Sequence, residues 1–278
     1  MRFPRFALIW ARHTTAVLCT TLVLLTTLSA QKRAAVNNWT TSIPISDCTT
    51  ISNPGSYVLT NDLTCPNLGN SQDTGITITA SNVTLHLSGH AISAAGDAVN
   101  ASSVADVDII GPGTVGSLAT GVRFTNVNNS RIVGVTCSDA ITCIISSGTA
   151  NRIMANEFSE YELGMDGEGQ GNFYIGNQCS GGYVGIEIQG QHDLIEGNRC
   201  GGTAFWAFYI QGTSETVMGN QADDNGNYGI YVAGTGNHIK NNEASNNSEF
   251  DLEDYDGTCG QNSWKSNAFT TANIACIH

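Results

Sequence analysis

Short apolar elements recur along this chain at a spacing of 21 or 22 residues. Asn156, Asn177, Asn198, Asn220 and Asn242 succeed one another by 21, 21, 22 and 22 residues. Three residues ahead of each stands Ile153, Tyr174, Ile195, Val217 or Ile239, and two residues after each stands Phe158, Cys179, Cys200, Ala222 or Ala244. Ile132, Val135 and Cys137 continue these columns upstream, and Trp264, Asn267 and Phe269 continue them downstream after a longer loop. A second element precedes the Asn: Val122-Arg123-Phe124, Ile186-Glu187-Ile188, Phe208-Tyr209-Ile210 and Ile230-Tyr231-Val232 alternate apolar, variable, apolar. Period two marks a strand with one buried face. Gly and Asn punctuate the strands, as in Gly181-Gly182, Gly201-Gly202 and Asn225-Gly226-Asn227, and no helical stripe of useful length intervenes.

Strands this short cannot bury themselves alone. Stacking successive coils pairs each strand with those above and below at about 4.8 Å and makes one continuous core. The Asn column then has a mechanical role. Asn tolerates left-handed backbone at a turn, and its amide can bond to the equivalent Asn one coil away. These coils, from about Gly75 to Asn267, resemble the right-handed parallel β-helix repeat family of the pectate-lyase-like superfamily. Asn82 to His90 resembles that family's first full coil, Pro54 to Thr60 the segment leading into it, and Cys259 to Cys276 a C-terminal closure. The resemblance implies an all-β, single-stranded right-handed parallel β-helix, a solenoid with 21–22-residue coils. It leaves function open, because the superfamily holds lyases, hydrolases, epimerases, adhesins and structural spikes.

The N-terminus changes the cellular picture. Arg2, Arg5, Arg12 and His13 precede an apolar, Thr-rich run from Thr14 to Leu28, and Leu28-Ser29-Ala30 offers small residues for signal cleavage. The alternative, a membrane anchor, asks for about 20 apolar residues. Lys32-Arg33 reads either as a second, dibasic processing site or as two solvated charges. The expected organisation is a signal peptide at 1–30, a lead-in and cap at 31–74, the β-helix at 75–250 and a closing coil and cap at 251–278. The first 30 residues hold three of the 11 Lys and Arg and none of the 24 Asp and Glu, so the exported chain is strongly acidic. Such a surface repels nucleic acid and anionic lipid. It also opposes an electrostatic grip on polyuronates unless Ca²⁺ bridges the two, and Ca²⁺ is the one cofactor left open.

Beyond Cys19, eight cysteines remain, an even number suited to an oxidising compartment. Proximity and coil geometry suggest the pairs Cys48–Cys65, Cys137–Cys143, Cys179–Cys200 and Cys259–Cys276. No Cys-x-x-Cys appears, and the six His, among them His86, His90, His192 and His238, lack metal-ligand spacing. Asn38, Asn82, Asn100, Asn128 and Asn246 each open an Asn-x-Ser/Thr triplet.

The resemblance implies enzymes that act on acidic polysaccharides on the outer face of one sheet, yet their motifs are missing. Asp223-Asp224 matches the Asp pair of the polygalacturonases, but Gly89-His90 precedes it and no Asn-Thr-Asp does. The Arg-x-Pro-x-x-Arg context of pectate lyases and the Asp-Pro-His of alginate epimerases are absent. Alternation instead points Arg123, Ile144, Glu187, Tyr209, Tyr231 and Glu253 outward, the last four at 22-residue spacing. With Leu163 and Met165 inward, Asp166 lies outward, one coil from Glu187 and diagonal to it. Two carboxylates about 5–6 Å apart suit a nucleophile and an acid in a retaining glycosidase, so Asp166 and Glu187 are the candidate catalytic pair. Arg123, Tyr209, Tyr231 and Glu253 are the candidate substrate contacts. Trp206, Tyr228 and Phe250, also 22 apart, read as core, and Asp251, Glu253, Asp254 and Asp256 as a solvated acidic end. Two function classes follow: a secreted protein that binds or cleaves a polysaccharide, or a non-catalytic adhesion or structural β-helix.

Overall fold

A computed structural model describes residues 42–65, 73–258 and 260–278. The expected signal peptide lies outside the described residues. Among the described residues short strands wind right-handed into a parallel solenoid of about nine turns, with no helix. Right-handed crossover is the rule for parallel strands in one sheet, because strand twist packs the return segment back only that way. Among the described residues three sheets run the length of the solenoid. The first has eleven strands, from Ile43–Ile45 to Ser263–Lys265; the second has nine, from Leu63–Cys65 to Glu243–Ser245; the third has ten, from Thr49–Ile51 to Phe250–Asp254. All pair in parallel with the coil above and the coil below.

The core is built of columns. On the first sheet Leu85, Ile109, Ile132, Ile153, Tyr174, Ile195, Val217, Ile239 and Trp264 are successive register partners, none more than 4% exposed. On the third, Val99, Val122, Ile144, Met165, Ile186, Phe208, Ile230 and Leu252 do the same with no exposure at all. Each such side chain contributes about 1.5–3 kcal/mol of burial. The third-sheet column corrects the outward placement of Ile144: it points in, and Ile145 takes the outward place. Alternation fails where the chain bends into this sheet, because two successive residues face inward there, Cys143 and then Ile144, Ala207 and then Phe208. The first of each pair is small because the next coil presses on it. A Cβ on Gly185 would sit 2.5 Å from the carbonyl oxygen of Ala207.

The Asn column forms the expected ladder. The side-chain amide Nδ2 donates to the Oδ1 of the next rung from Asn156 to Asn177, Asn198, Asn220, Asn242 and Asn267, at 2.9–3.0 Å throughout. Each Oδ1 also accepts the backbone N–H of the rung before, and each Nδ2 also donates to a carbonyl of the preceding coil, as Asn177 does to Ile153 at 2.9 Å. The left-handed residue is not the Asn but its predecessor: Ala155, Gly176, Gly197, Gly219, Asn241 and Ser266 have φ of 53–64°. The turn needs positive φ one residue earlier so that the Asn side chain can swing into the interior.

A second buried ladder lies five residues upstream and was not anticipated. Asn151, Asn172, Asp193, Glu215, Asn237 and Asn262 each accept the backbone N–H of the rung before, starting from Ser130. Two of its rungs are carboxyl groups.

Disulfides Cys48–Cys65, Cys137–Cys143 and Cys179–Cys200 form as expected, with Cα separations of 5.8, 5.6 and 4.5 Å. Cys276 is disulfide-bonded, and Cys259 lies outside the described residues. The acidic end is not solvated as a whole. Asp251 and Asp254 are 1% exposed and hold the closing segment. Asp251 accepts backbone N–H groups of Thr270 and Thr271 at 2.9 Å, and Asp254 accepts the indole N–H of Trp264 at 2.9 Å. The two carboxylates close the open end of the core with charge-assisted bonds.

Candidate functional site

The outward face of the third sheet carries one register column that runs Thr77, Asn100, Arg123, Ile145, Asp166, Glu187, Tyr209, Tyr231, Glu253. All of the candidate site residues therefore lie on one face. Asp166 and Glu187 are direct partners rather than diagonal neighbours, because Leu163 turns outward at the bend and only Met165 points in. Arg123 stands two coils before Asp166 in the same column. Its Nε donates to Asp97 at 2.9 Å and its guanidinium to Thr120 at 2.5 Å, so its charge is matched within the protein.

The column read as core belongs to this face instead. Trp206, Tyr228 and Phe250 stack as register partners but are only half-buried, since the bend places Ala207 and Gly229 inward and turns their predecessors out. Trp206 stacks on Tyr209 with centroids 4.5 Å apart, and Tyr228 meets Tyr231 edge-on at 5.2 Å. Tyr209 and Tyr231 meet at 5.3 Å. Phe205 packs edge-on against Trp206 at 4.1 Å and stacks on Tyr183 at 5.3 Å, and Tyr255 lies 6.0 Å from Tyr231. Seven rings thus form one connected platform across four coils. Tyr183 and Tyr255 remain 52% and 64% exposed, so the connected platform reaches solvent, and a contiguous exposed apolar patch marks an interaction surface. The spacing Tyr183, Phe205, Asn227, Glu249 is also 22 residues, and this signal was available in the sequence.

Carboxyl groups bracket the platform. At one end Glu187 Oε1 accepts from the amides of Gln189 at 2.8 Å and Gln211 at 2.6 Å. Burial nevertheless raises its pKa above the usual carboxylate range against those two donors. Asp166 is pushed up to about 6, first by burial and then by Glu168 and Glu187, with Arg123 opposing. Its Oδ1 is buried without a protein donor. At the other end Glu253 is raised by burial and by Glu249, and its Oε2 likewise lacks a donor. Burial and Glu253 lift the Tyr228 and Tyr231 hydroxyls to about 12, so both stay neutral donors. The ten strands of this sheet carry a single Lys or Arg, Arg123. Among the described residues no three His, Cys, Asp or Glu side chains gather as a metal site. A recess of about 360 Å³ on the second sheet, lined by Glu157, Gln178 and Arg199 among others, is a separate feature.

The geometry defines a three-sheet parallel β-solenoid with an aromatic outer face. Residues 120–274, more than half of the chain, match the right-handed β-helix region, and the chain belongs to that family. Solved structures to which the chain is similar include the Dettilon tailspike protein gp208, with 14% identity and a TM-score of 0.49 over 81% of this chain and 61% of that one. The catalytic domain of a GH87 α-1,3-glucanase, solved with tetrasaccharides, aligns at 12% identity and a TM-score of 0.38 over 84% of this chain and 62% of that one. The surface adhesin PfbA of Streptococcus pneumoniae aligns at 10% identity and a TM-score of 0.32 over 85% and 90%. The chain spans about six-tenths of the length of the tailspike and of the glucanase domain. No curated protein matches it in sequence. Among the described residues no helix is long and apolar enough to cross a membrane.

Proposed function

We propose that the protein is an extracellular carbohydrate-binding β-helix that holds a polysaccharide along the outer face of its third sheet. The observation that carries this reading is the connected platform of seven rings, several half-exposed, bracketed by polar side chains. Tyr and Trp present a flat apolar face with a polar edge, which matches a sugar ring with its axial C–H surface and peripheral hydroxyls. Gln189 and Gln211 beside Glu187 supply amide donors and acceptors at the rim. The three disulfides support an extracellular setting, as does the expectation of a signal peptide from the N-terminal sequence. The test is binding of the purified protein to a panel of soluble glycans, comparing wild type with Trp206→Ala and Tyr231→Ala. Each variant should weaken binding about fivefold, since a ring contact contributes about 1 kcal/mol, without unfolding the chain.

A second reading, glycan hydrolysis, is favoured by one specific observation. Two carboxyl groups are direct register partners at the end of the platform, and their surroundings hold protons differently. Asp166, pushed up to about 6, suits an acid at mildly acidic pH, while Glu187, raised by burial too, has two amide donors that oppose the shift and orient it as nucleophile. On this reading the Asp166 proton passes to the leaving glycosidic oxygen as Glu187 attacks the anomeric carbon; water, losing a proton to the Asp166 carboxylate, then displaces Glu187 from that carbon. Glu187→Gln should abolish reducing-sugar release, because an amide does not serve as the nucleophile. Release that persists in this variant removes Glu187 from catalysis and leaves the binding reading untouched.

A further inference from the structure

The charge around the aromatic platform narrows what it selects. We propose that the glycan held there carries free amino groups, a polymer of de-N-acetylated hexosamine; this rests on the glycan-binding reading above. The rings offer negative π faces, which attract a cation placed over them. Carboxyl groups border those faces at both ends. Glu187 is the register partner of Tyr209 and perturbs its hydroxyl, while Glu253 is the partner of Tyr231 and perturbs both Tyr231 and Tyr228. Glu249 lies close enough to raise the Tyr228 hydroxyl, and Glu168 crowds Asp166 and Glu187 from the adjoining outward column.

Among the described residues little basic charge answers these acids, and what there is reaches Asp166 from Arg123. Arg123, the one Lys or Arg on the strands of this sheet, is bound to Asp97 and Thr120. Oδ1 of Asp166 and Oε2 of Glu253 find no donor in the protein. A glycan with carboxylates meets repulsion at both ends of the strip, and a neutral glycan leaves the acids unmatched. A polymer with an ammonium on every sugar answers both, stacking its rings on the aromatics and placing positive charge against the carboxylates. Glu187 and Glu253 stand three coils apart, about 14 Å, so one oligomer engages both ends at once and gains from linking the two contacts.

The experiment compares three hexamers of equal length by calorimetry at about pH 6, where primary amines keep their proton: a fully N-acetylated hexosamine, its fully de-N-acetylated form and a neutral glucan. The free-amine hexamer should bind about tenfold more tightly than the other two, and salt at about 0.5 M should erase most of that preference, because screening removes exposed ion pairs. In Glu187→Gln/Glu253→Gln the ratio of the free-amine to the N-acetylated affinity should fall toward one. Equal binding of the N-acetylated and free-amine hexamers, insensitive to salt, overturns this inference while the glycan-binding reading stands. Failure to bind any of the three, or any other glycan of the panel above, overturns both.

Discussion

Asp193 and Glu215 occupy rungs of a buried ladder whose other members are amides, and that substitution has a measurable consequence. In an Asn rung Oδ1 accepts a backbone N–H and Nδ2 donates to a carbonyl of the preceding coil, as Asn151 does to Val127 at 2.6 Å and Asn237 to Gly212 at 3.1 Å. Asp193 and Glu215 keep the accepting half of this pattern, taking the N–H of Asn172 and of Asp193. Their second oxygens, Oδ2 and Oε1, are buried with no partner. Each lies on the side where an Asn would donate. A Cβ on Gly190 would meet Asp193 Oδ2 at 2.0 Å and Gly169 O at 3.1 Å; one on Gly212 would meet Glu215 Oε1 at 2.1 Å and Gly190 O at 2.7 Å. An oxygen facing a carbonyl there completes the ladder only as a protonated carboxyl. Burial accordingly lifts Asp193 to about 6 against its hydrogen bonds and His192, and lifts Glu215 to about 8 with Asp193 adding to it. The Tyr174 hydroxyl, buried beside them, is held neutral by the same burial.

Both folded-state values lie above the unfolded ones, 3.8 and 4.5, so the protonated rungs contribute fully below about pH 4. As pH rises the unfolded chain releases these protons first, and stability is lost until pH reaches the folded values, about 6 and about 8. At about 1.4 kcal/mol per pH unit, Asp193 removes about 3 kcal/mol across its window. The two groups interact, so the pair rather than either residue carries the total, which is of order 5 kcal/mol. The double variant Asp193→Asn/Glu215→Gln restores donors that do not titrate. Urea unfolding followed by tryptophan fluorescence at about pH 4, 6 and 8 gives the difference between variant and wild type, in which the other carboxylates cancel. The variant should match the wild type at pH 4 within about 1 kcal/mol and exceed it by several at pH 8. A difference that stays constant with pH, or favours the wild type at pH 8, refutes the protonated-rung argument.

The first ladder gives a second stability test: Asn198→Ala strips partners from Asn177, Asn220 and the Tyr174 carbonyl together, and should cost about 3 kcal/mol or more in the same unfolding assay while leaving glycan affinity unchanged. At the C-terminal closure, Asp254→Ala should lower the melting temperature by removing the acceptor of the Trp264 and Asn262 side chains. Non-reducing peptide mapping should link Cys259 to Cys276, beside the three pairs already described, and a link from Cys48 to Cys276 would break the scheme.

The solenoid was legible because its repeat is carried by columns that must be apolar, and by Asn at one fixed offset from each. Which residues face outward was legible only where strict alternation holds. At the bend into the third sheet two consecutive residues turn inward, and counting by parity across it put Ile144 outside and Trp206 and Tyr228 inside. The small residues Gly185, Ala207 and Gly229 mark that bend at 22-residue spacing, so the break in phase was written in the chain. The second ladder stayed hidden because Asp193 and Glu215 interrupt the Asn pattern, and only burial reveals that a carboxyl group has taken an amide's place. Arg123 was legible as an outward residue, but its partner Asp97 lies 26 residues away on another coil.

The aromatic face is tested most directly by measuring the affinity of the purified protein for its best-bound glycan beside that of Trp206→Ala/Tyr209→Ala/Tyr231→Ala. These side chains are half-exposed, so the variant should keep a cooperative unfolding transition close to wild type. Its affinity should fall about a hundredfold, the product of roughly fivefold for each ring. Undiminished glycan binding by a folded triple variant would contradict the assignment of this face.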